Sequence, residues 1–158
     1  MILFESVARP LLFLHLIAAA CVAGSAIHLA IRVNGYIRGK AIKIAHERLY
    51  ARLLVISYVA CFLLGAAIYP TFRIRVRHDY FDQAMPWATA LFEVKEHLAT
   101  VGLLAAIGAW MISREMPHPA DDDCRNLLKL YGGLIVIVLL IVGFNIWSGW
   151  YLTILKPV

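Results

Sequence analysis

The stretch LKLYGGLIVIVLLIVGFNIWSGWYL, residues 128–152, carries only one charged side chain, that of Lys129. A bilayer core about 30 Å thick is crossed by about 20 mostly apolar residues in a helix. Three earlier windows have the same character, at about residues 10–31, 49–69 and 86–112. The sequence therefore predicts an all-α integral membrane protein with four transmembrane helices.

The composition agrees with this prediction. Of the 158 residues, 62% are hydrophobic and 16% are charged, and the mean hydropathy is +0.77. A soluble domain usually has about 45–50% apolar and about 25% charged residues. The excess of apolar residues argues against a water-soluble fold, and the lack of a polar low-complexity tract argues against disorder.

The connections between the four windows are short, so consecutive helices should be antiparallel neighbours. We expect a single domain over residues 1–158, built as an up-down-up-down four-helix bundle in which the first and third helices are diagonal partners. Small residues at helical spacing, such as Gly65, Gly102 and Gly132, are typical of close helix packing in membranes. No linker and no internal repeat divides the chain.

The basic residues predict the orientation of the bundle. The two loops that join the first to the second helix and the third to the fourth carry more Lys and Arg than the side with both termini. By the positive-inside rule, these loops lie in the cytoplasm. We therefore expect a multi-pass protein of an inner (cytoplasmic) membrane with both termini in the periplasm. The net charge of +5 is then explained by contact with anionic lipid headgroups, and no nucleic-acid partner is predicted.

Two histidines lie at matching depths on the diagonal helices. At 1.5 Å per residue, His15 lies roughly 8 Å inside the outer edge of its span, and His97, counted from Leu91, lies roughly 9 Å inside the same edge. A haem iron takes two axial nitrogens from opposite faces, and facing helices of a bundle supply them. We therefore expect haem b with His15 and His97 as metal ligands, although a histidine hydrogen-bonded between helices is the plainer alternative.

Cations on the terminal side are expected to bind the haem propionates. These are Arg73, Arg75, Arg77 and Lys95. In residues 71–77, apolar and basic residues alternate, which indicates an extended strand or interfacial ribbon with Phe72, Ile74 and Val76 on one face. The alternative is a loop that binds lipid headgroups.

The third window carries the densest cluster of ionisable residues. Glu93, Glu96 and His97 share one helix face, and Lys95 points about 100° or more away from it. Glu93 or Glu96 is expected to orient His97 or to relay protons, as in a quinol-deprotonating site. There are two alternatives: Glu93, Glu96 and His97 bind a metal ion directly, or the charged residues of the cluster form an interhelical salt bridge.

His28 and His46 are secondary candidates as ligands of a metal or second haem, since both lie near the cytoplasmic ends of their helices. The alternative is that each histidine is hydrogen-bonded within the protein or reaches the membrane interface. The chain has no Cys-x-x-Cys-His motif for covalent haem, no Gly-rich phosphate loop and no His-Glu-x-x-His motif. Hydrolytic chemistry of the soluble type is therefore not expected.

Two groups of membrane proteins resemble this chain in part. The segment from Leu14 to Ala20, with Gly24 beyond it, is similar to the histidine-bearing first helix of bacterial copper-resistance D-type proteins. Four spans with histidines at His15, His28 and His97 also resemble small membrane cytochromes of the b561 type, although the fourth span here has no histidine. The resemblance implies haem b and quinone-linked electron transfer.

These observations give three functional hypotheses. The first is a haem b protein that transfers electrons, as an oxidoreductase component linked to quinone or to other membrane redox subunits. The second is a cofactor-free accessory or assembly subunit of a membrane complex. This hypothesis is compatible with oligomers of the chain. The third is a small metal-handling or proton-coupled membrane protein that uses Glu93, Glu96 and His97.

Overall fold

The computed structural model describes residues 4–38, 40, 44–115 and 122–156, and for residues 122–125 it describes the backbone alone. Four long helices make up most of this part of the chain. They are α1 (Ala8–Ile37), α2 (Ile44–Phe72), α3 (Pro86–Glu115) and α4 (Asp122–Leu155). A 3-10 turn, Glu5–Val7, precedes α1. Beyond α2 the helix continues as a π-helix, Arg73–Phe81, and one further turn, Asp82–Ala84.

Each of the four apolar windows lies within one long helix. All four helices are long and apolar enough to cross a membrane, and the described residues form no strand, which confirms the all-helical prediction. Large apolar side chains cover the outside of the bundle, among them Ile31, Leu104 and Leu140, each about two-thirds exposed in the isolated chain. Such a surface is compatible with lipid contact.

The helices are arranged as a square. α1 packs against α2 and α4, and α3 packs against the same two helices, so α1 and α3 lie on a diagonal as expected. α1 and α2 are antiparallel, so that His28 in the second half of α1 stacks on Tyr50 near the start of α2. The core between the helices contains Leu29, Leu54 and Ile135, all fully buried. We call the end of the bundle that holds the first residues of α1 and the last of α4 the terminal end, and the other end the loop end.

Glycines allow two of the close approaches. A Cβ added at Gly102 of α3 would collide with the hydroxyl of Tyr58 on α2 and lie 2.9 Å from a methyl group of Ile141 on α4. A Cβ added at Gly132 would lie 2.9 Å from Val33 on α1. These contacts agree with the expectation that small residues mark close helix packing.

The prediction of a strand or ribbon at residues 71–77 is wrong. This segment is helical, first as the end of α2 and then as the π-helix. Phe72 and Val76 are buried, but Ile74, expected on the same face, is 43% exposed. In a π-helix with about 4.4 residues per turn, positions i, i+4 and i+9 share a face. Phe72, Val76 and Phe81 have this spacing and pack together in one apolar cluster.

Candidate functional site

His15 lies on α1 and points at α2. Its Nδ1 donates a hydrogen bond to the carbonyl of Cys61 at 2.9 Å, and the Cys61 Sγ is 3.6 Å from the same nitrogen. The absence of a side chain at Gly65 leaves room for the ring, because a Cβ there would be 3.3 Å from His15 Cε1. With the proton on Nδ1, the Nε2 of the neutral ring carries the free lone pair.

Lys95 is the residue of α3 that turns into the bundle at this level. Its Cε lies 3.4 Å from the Cβ position of Gly149 on α4, and its Nζ is 5.4 Å from the centre of the Phe92 ring. Lys95 also interacts electrostatically with both His15 and Cys61. The terminal half of the bundle therefore contains a cluster of His15, Cys61 and Lys95 from three helices.

The other ionisable residues of α3 lie on its outer surface. Glu93, Glu96 and His97 are all exposed, so Lys95 does point away from them, as expected. The Nδ1 of His97 donates to the carbonyl of Glu93 at 2.7 Å, within its own helix. The Glu93 carboxylate accepts a 2.7 Å hydrogen bond from Arg77. The shared face that we expected thus exists, but it is directed away from the bundle interior.

The positions of His15 and His97 test the expectation that both ligate one haem iron. Two-sided ligation of one iron requires both imidazoles to face the same space. His15 faces α2, whereas His97 is exposed on α3, and the described residues show no contact between the two. Ligation of one haem by this pair within a single chain is therefore not supported by the geometry. Whether the protein binds haem stays a prediction.

The four cations expected to bind propionates point in different directions. Arg75 pairs with Glu5 at 2.8 Å, Arg77 pairs with Glu93 and Asp82, and Lys95 lies inside the bundle. Within the described ranges, no side chain forms an ion pair or hydrogen bond with the Arg73 guanidinium. The structure therefore does not gather these four groups at one place.

A buried polar network at the loop end was missed in the sequence. Glu47 of α2 is fully buried and forms an ion pair with Arg32 of α1. Its carboxylate also accepts hydrogen bonds from the hydroxyls of Tyr36, at 2.6 Å, and Tyr131 of α4, at 3.2 Å. The feature of the sequence that could have indicated this network is Glu47, a single acidic residue among the basic residues before the second window. The network joins three helices.

His28 and His46, the secondary candidates, are not brought together. His28 stacks on Tyr50 with 3.8 Å between the ring centres, and its Nε2 is buried without a hydrogen-bond partner among the described residues. His46 is exposed near the start of α2. No group of three or more His, Cys, Asp or Glu side chains in the described part of the chain could hold a metal ion.

Comparison with known proteins adds no assignment, since no family model, curated protein or solved structure matches this chain.

Proposed function

We propose that this protein is a subunit of a larger membrane assembly and that α3 provides the surface that contacts its partner. We call the exposed residues Glu93, Glu96, His97 and Thr100 the α3 polar face. They lie on one side of a helix that is apolar enough to cross a membrane. The observation that carries the proposal is that this side is turned outward, not into the bundle.

The depth of these groups gives the proposal its physical basis. By helical rise, Glu96 and His97 lie roughly 15–17 Å from the first residue of α3, at the level of the Lys95 contact with α4. Ionisable side chains facing lipid at such a level are energetically costly, and membrane proteins usually direct them toward protein or water. A second membrane protein packed on α3 would shield them and supply hydrogen-bond partners.

The chemistry of the face indicates what kind of partner fits. Glu93 already accepts a hydrogen bond from Arg77. The Glu96 carboxylate has no ion pair or hydrogen bond through its side chain among the described residues. We therefore infer that the partner is a transmembrane helix carrying a basic or hydrogen-bond-donating side chain at the level of Glu96.

Photo-crosslinking in native membranes tests the proposal. A photoreactive amino acid at Thr100, within the α3 polar face, should give an adduct with another membrane protein. The same amino acid at Leu140, which is 70% exposed on α4, should give lipid adducts only. The Thr100 adduct should decrease severalfold when Glu96→Gln is introduced, because the proposed contact depends on that charge.

Two outcomes would overturn the proposal. Lipid adducts alone at both positions would show that the α3 polar face is not covered by protein. An adduct of twice the chain mass would identify the neighbour as a second copy of this protein, not a different subunit.

A second candidate is a haem b protein in electron transfer, with quinone or another membrane redox subunit as partner. One observation favours it: both His15 and His97 donate Nδ1–H to a backbone carbonyl, the arrangement that directs the Nε2 lone pair to a metal. In His15 this nitrogen lies 3.8 Å from the Cys61 Sγ. When bound, haem would supply one-electron redox chemistry, and His15 or His97 would hold it. Glu93 and Glu96, beside His97, would bind or release protons.

A reduced-minus-oxidised visible spectrum of the purified protein tests this candidate. A sharp α band that is lost in His15→Ala or His97→Ala, but kept in the His46→Ala control, would support it. A flat spectrum from protein produced with ample haem would exclude it.

We further propose that both termini lie in the periplasm of a bacterial inner membrane, because the loop end carries more basic residues. Reporter fusions at the C-terminus test this orientation. Activity of a periplasm-dependent reporter supports it, and activity of a cytoplasm-dependent reporter contradicts it.

A further inference from the structure

The π-helix forms one side of an open cavity at the terminal end of the bundle. This cavity, the π-helix pocket, has a volume of about 310 Å³ and is lined by Tyr69, Arg73, Arg77, His78 and Asp82. We propose that the π-helix pocket binds a phosphate group, with the Arg73 guanidinium as its principal contact. Arg77 of the pocket pairs with Glu93 of the α3 polar face, but the proposal requires no partner protein on α3.

The helical register is what assembles the pocket. Arg73, Arg77, His78 and Asp82 stand at positions i, i+4, i+5 and i+9, which share a face in a π-helix of about 4.4 residues per turn. In an α-helix, at about 100° per residue, position i+9 would lie on the opposite side. The amide of Asp82 donates to the carbonyl of Arg77, the i→i−5 bond of the π-helix. This unusual register therefore places a carboxylate, an imidazole and two guanidiniums around one space.

The two arginines of the pocket differ in their partners. Arg77 is held by Glu93 at 2.7 Å and by Asp82 at 3.6 Å, so its charge is compensated and its position fixed. Asp82 also accepts a 2.7 Å hydrogen bond from Thr89 of α3. Arg73, whose side chain is exposed, lines the same cavity and forms no ion pair with a carboxylate of the described residues. The pocket thus contains one guanidinium whose charge an incoming anion can neutralise.

The remaining groups suit an oxyanion. A guanidinium binds two phosphate oxygens through parallel N–H donors, and the Tyr69 hydroxyl adds a hydrogen-bond donor. The Nδ1 of His78 is 3.0 Å from Asp79 Oδ1. Ligand pockets for small molecules typically span about 300–1,000 Å³, so this one fits a headgroup or a small phosphate and not a whole lipid.

Two sources of phosphate fit this chemistry. The pocket lies at the terminal end of the bundle, where Trp87 at the start of α3 is 49% exposed, and such aromatic residues are typical of the membrane–water interface. A phospholipid headgroup would therefore reach it from the bilayer, and inorganic phosphate would reach it from water. Both present tetrahedral oxygens to Arg73.

Native mass spectrometry and ³¹P NMR of the detergent-purified, delipidated chain separate the outcomes. The protein is titrated with phosphatidylglycerol, with phosphatidylethanolamine and with inorganic phosphate. We expect one phosphate-bearing ligand to bind per chain, and Arg73→Gln to weaken that binding about tenfold or more, since a charged hydrogen-bonded contact is lost. Arg73→Lys, which keeps the charge without the planar fork, should fall between the two.

The matched control is Arg75→Gln, two residues along the same π-helix. Arg75 pairs with Glu5 and does not line the pocket, so its replacement should leave binding within twofold of wild type. Binding of either phospholipid that depends on Arg73 identifies the source as a lipid, and Arg73-dependent binding of inorganic phosphate alone identifies a soluble phosphate. Equal binding by wild type and a folded Arg73→Gln variant, or equal losses in both arginine variants, would overturn the proposal.

Discussion

The carboxylate of Glu47 on α2 and the guanidinium of Arg32 on α1 form an ion pair inside the loop end of the bundle. The Glu47 side chain has no exposed surface, and the Arg32 side chain is 16% exposed. Removing one partner of a buried ion pair is strongly destabilising. The network therefore fixes α1, α2 and α4 relative to one another at this end.

Glu47→Gln should strongly destabilise the bundle. The amide keeps one acceptor for the tyrosine hydroxyls but removes the negative charge that faces Arg32, and breaking a buried pair typically costs about 3–5 kcal/mol. Thermal unfolding followed by circular dichroism in detergent measures the effect. The control is Glu115→Gln at the exposed end of α3, which should leave the melting temperature almost unchanged. Equal effects of the two substitutions would contradict a stabilising role for the network.

Gly102→Ala should destabilise the protein through overpacking. The new methyl group would collide with the Tyr58 hydroxyl, and forcing an extra carbon into a packed core typically costs about 1–3 kcal/mol. Gly133→Ala is the matched control, because nothing lies within 4 Å of its Cβ position and alanine favours a helix. Unfolding in detergent should show a loss of stability for the first substitution and no loss for the second. A neutral Gly102→Ala would mean that α2 and α3 are not in close contact there.

Phe81→Ala and Ile74→Ala should have very different effects. Phe81 is fully buried in the apolar cluster beside the π-helix, whereas Ile74 is 43% exposed. Truncation of a buried Phe typically costs about 3–5 kcal/mol, and an exposed isoleucine contributes much less. Thermal unfolding of the two variants tests whether the segment Arg73–Phe81 has the register of a π-helix. A larger loss for Ile74→Ala would favour a strand-like alternation over the π-helix.

Lys95→Met should leave the protein as stable as wild type or make it more stable. The ammonium group lies between α3 and α4 without a carboxylate in an ion pair among the described residues, and an ionisable group at this depth is costly. Methionine fills similar space without a charge. The melting temperature in detergent should not fall, and a fall similar to that of Glu47→Gln would show that the Lys95 charge stabilises the fold. Lys129→Met, on the exposed surface of α4, controls for the loss of a lysine.

The helices could be predicted from the sequence because bilayer thickness imposes a strong length requirement on apolar segments. The position of Lys95 relative to Glu93 and His97 could also be predicted, since helical geometry fixes angles between residues of one helix. The direction in which the α3 polar face points could not be predicted. It depends on how α3 is rotated against α2 and α4, and an outward charged face has the same periodicity as an inward one.

Two features misled sequence reasoning for identifiable reasons. Alternating residues from Phe72 to Arg77 imitate a strand, and the π-helical spacing becomes visible only when Phe81 is included. Glu47 stands among basic residues near a helix start, where an exposed charge is expected. Its burial follows from partners more than ten residues away, Tyr36 and Tyr131, which local patterns do not reveal.

The most direct test of a partner on the α3 polar face is the mass of the particle that carries this protein when it is extracted from its native membrane in polymer-bounded nanodiscs. For the wild-type chain we expect a particle that contains a second, different membrane protein in fixed stoichiometry. For the Glu93→Gln, Glu96→Gln double variant we expect a chain released from that particle, although it remains folded and helical. A wild-type chain found alone at its own mass of 17.7 kDa, or a particle unchanged by the double substitution, would contradict the proposal.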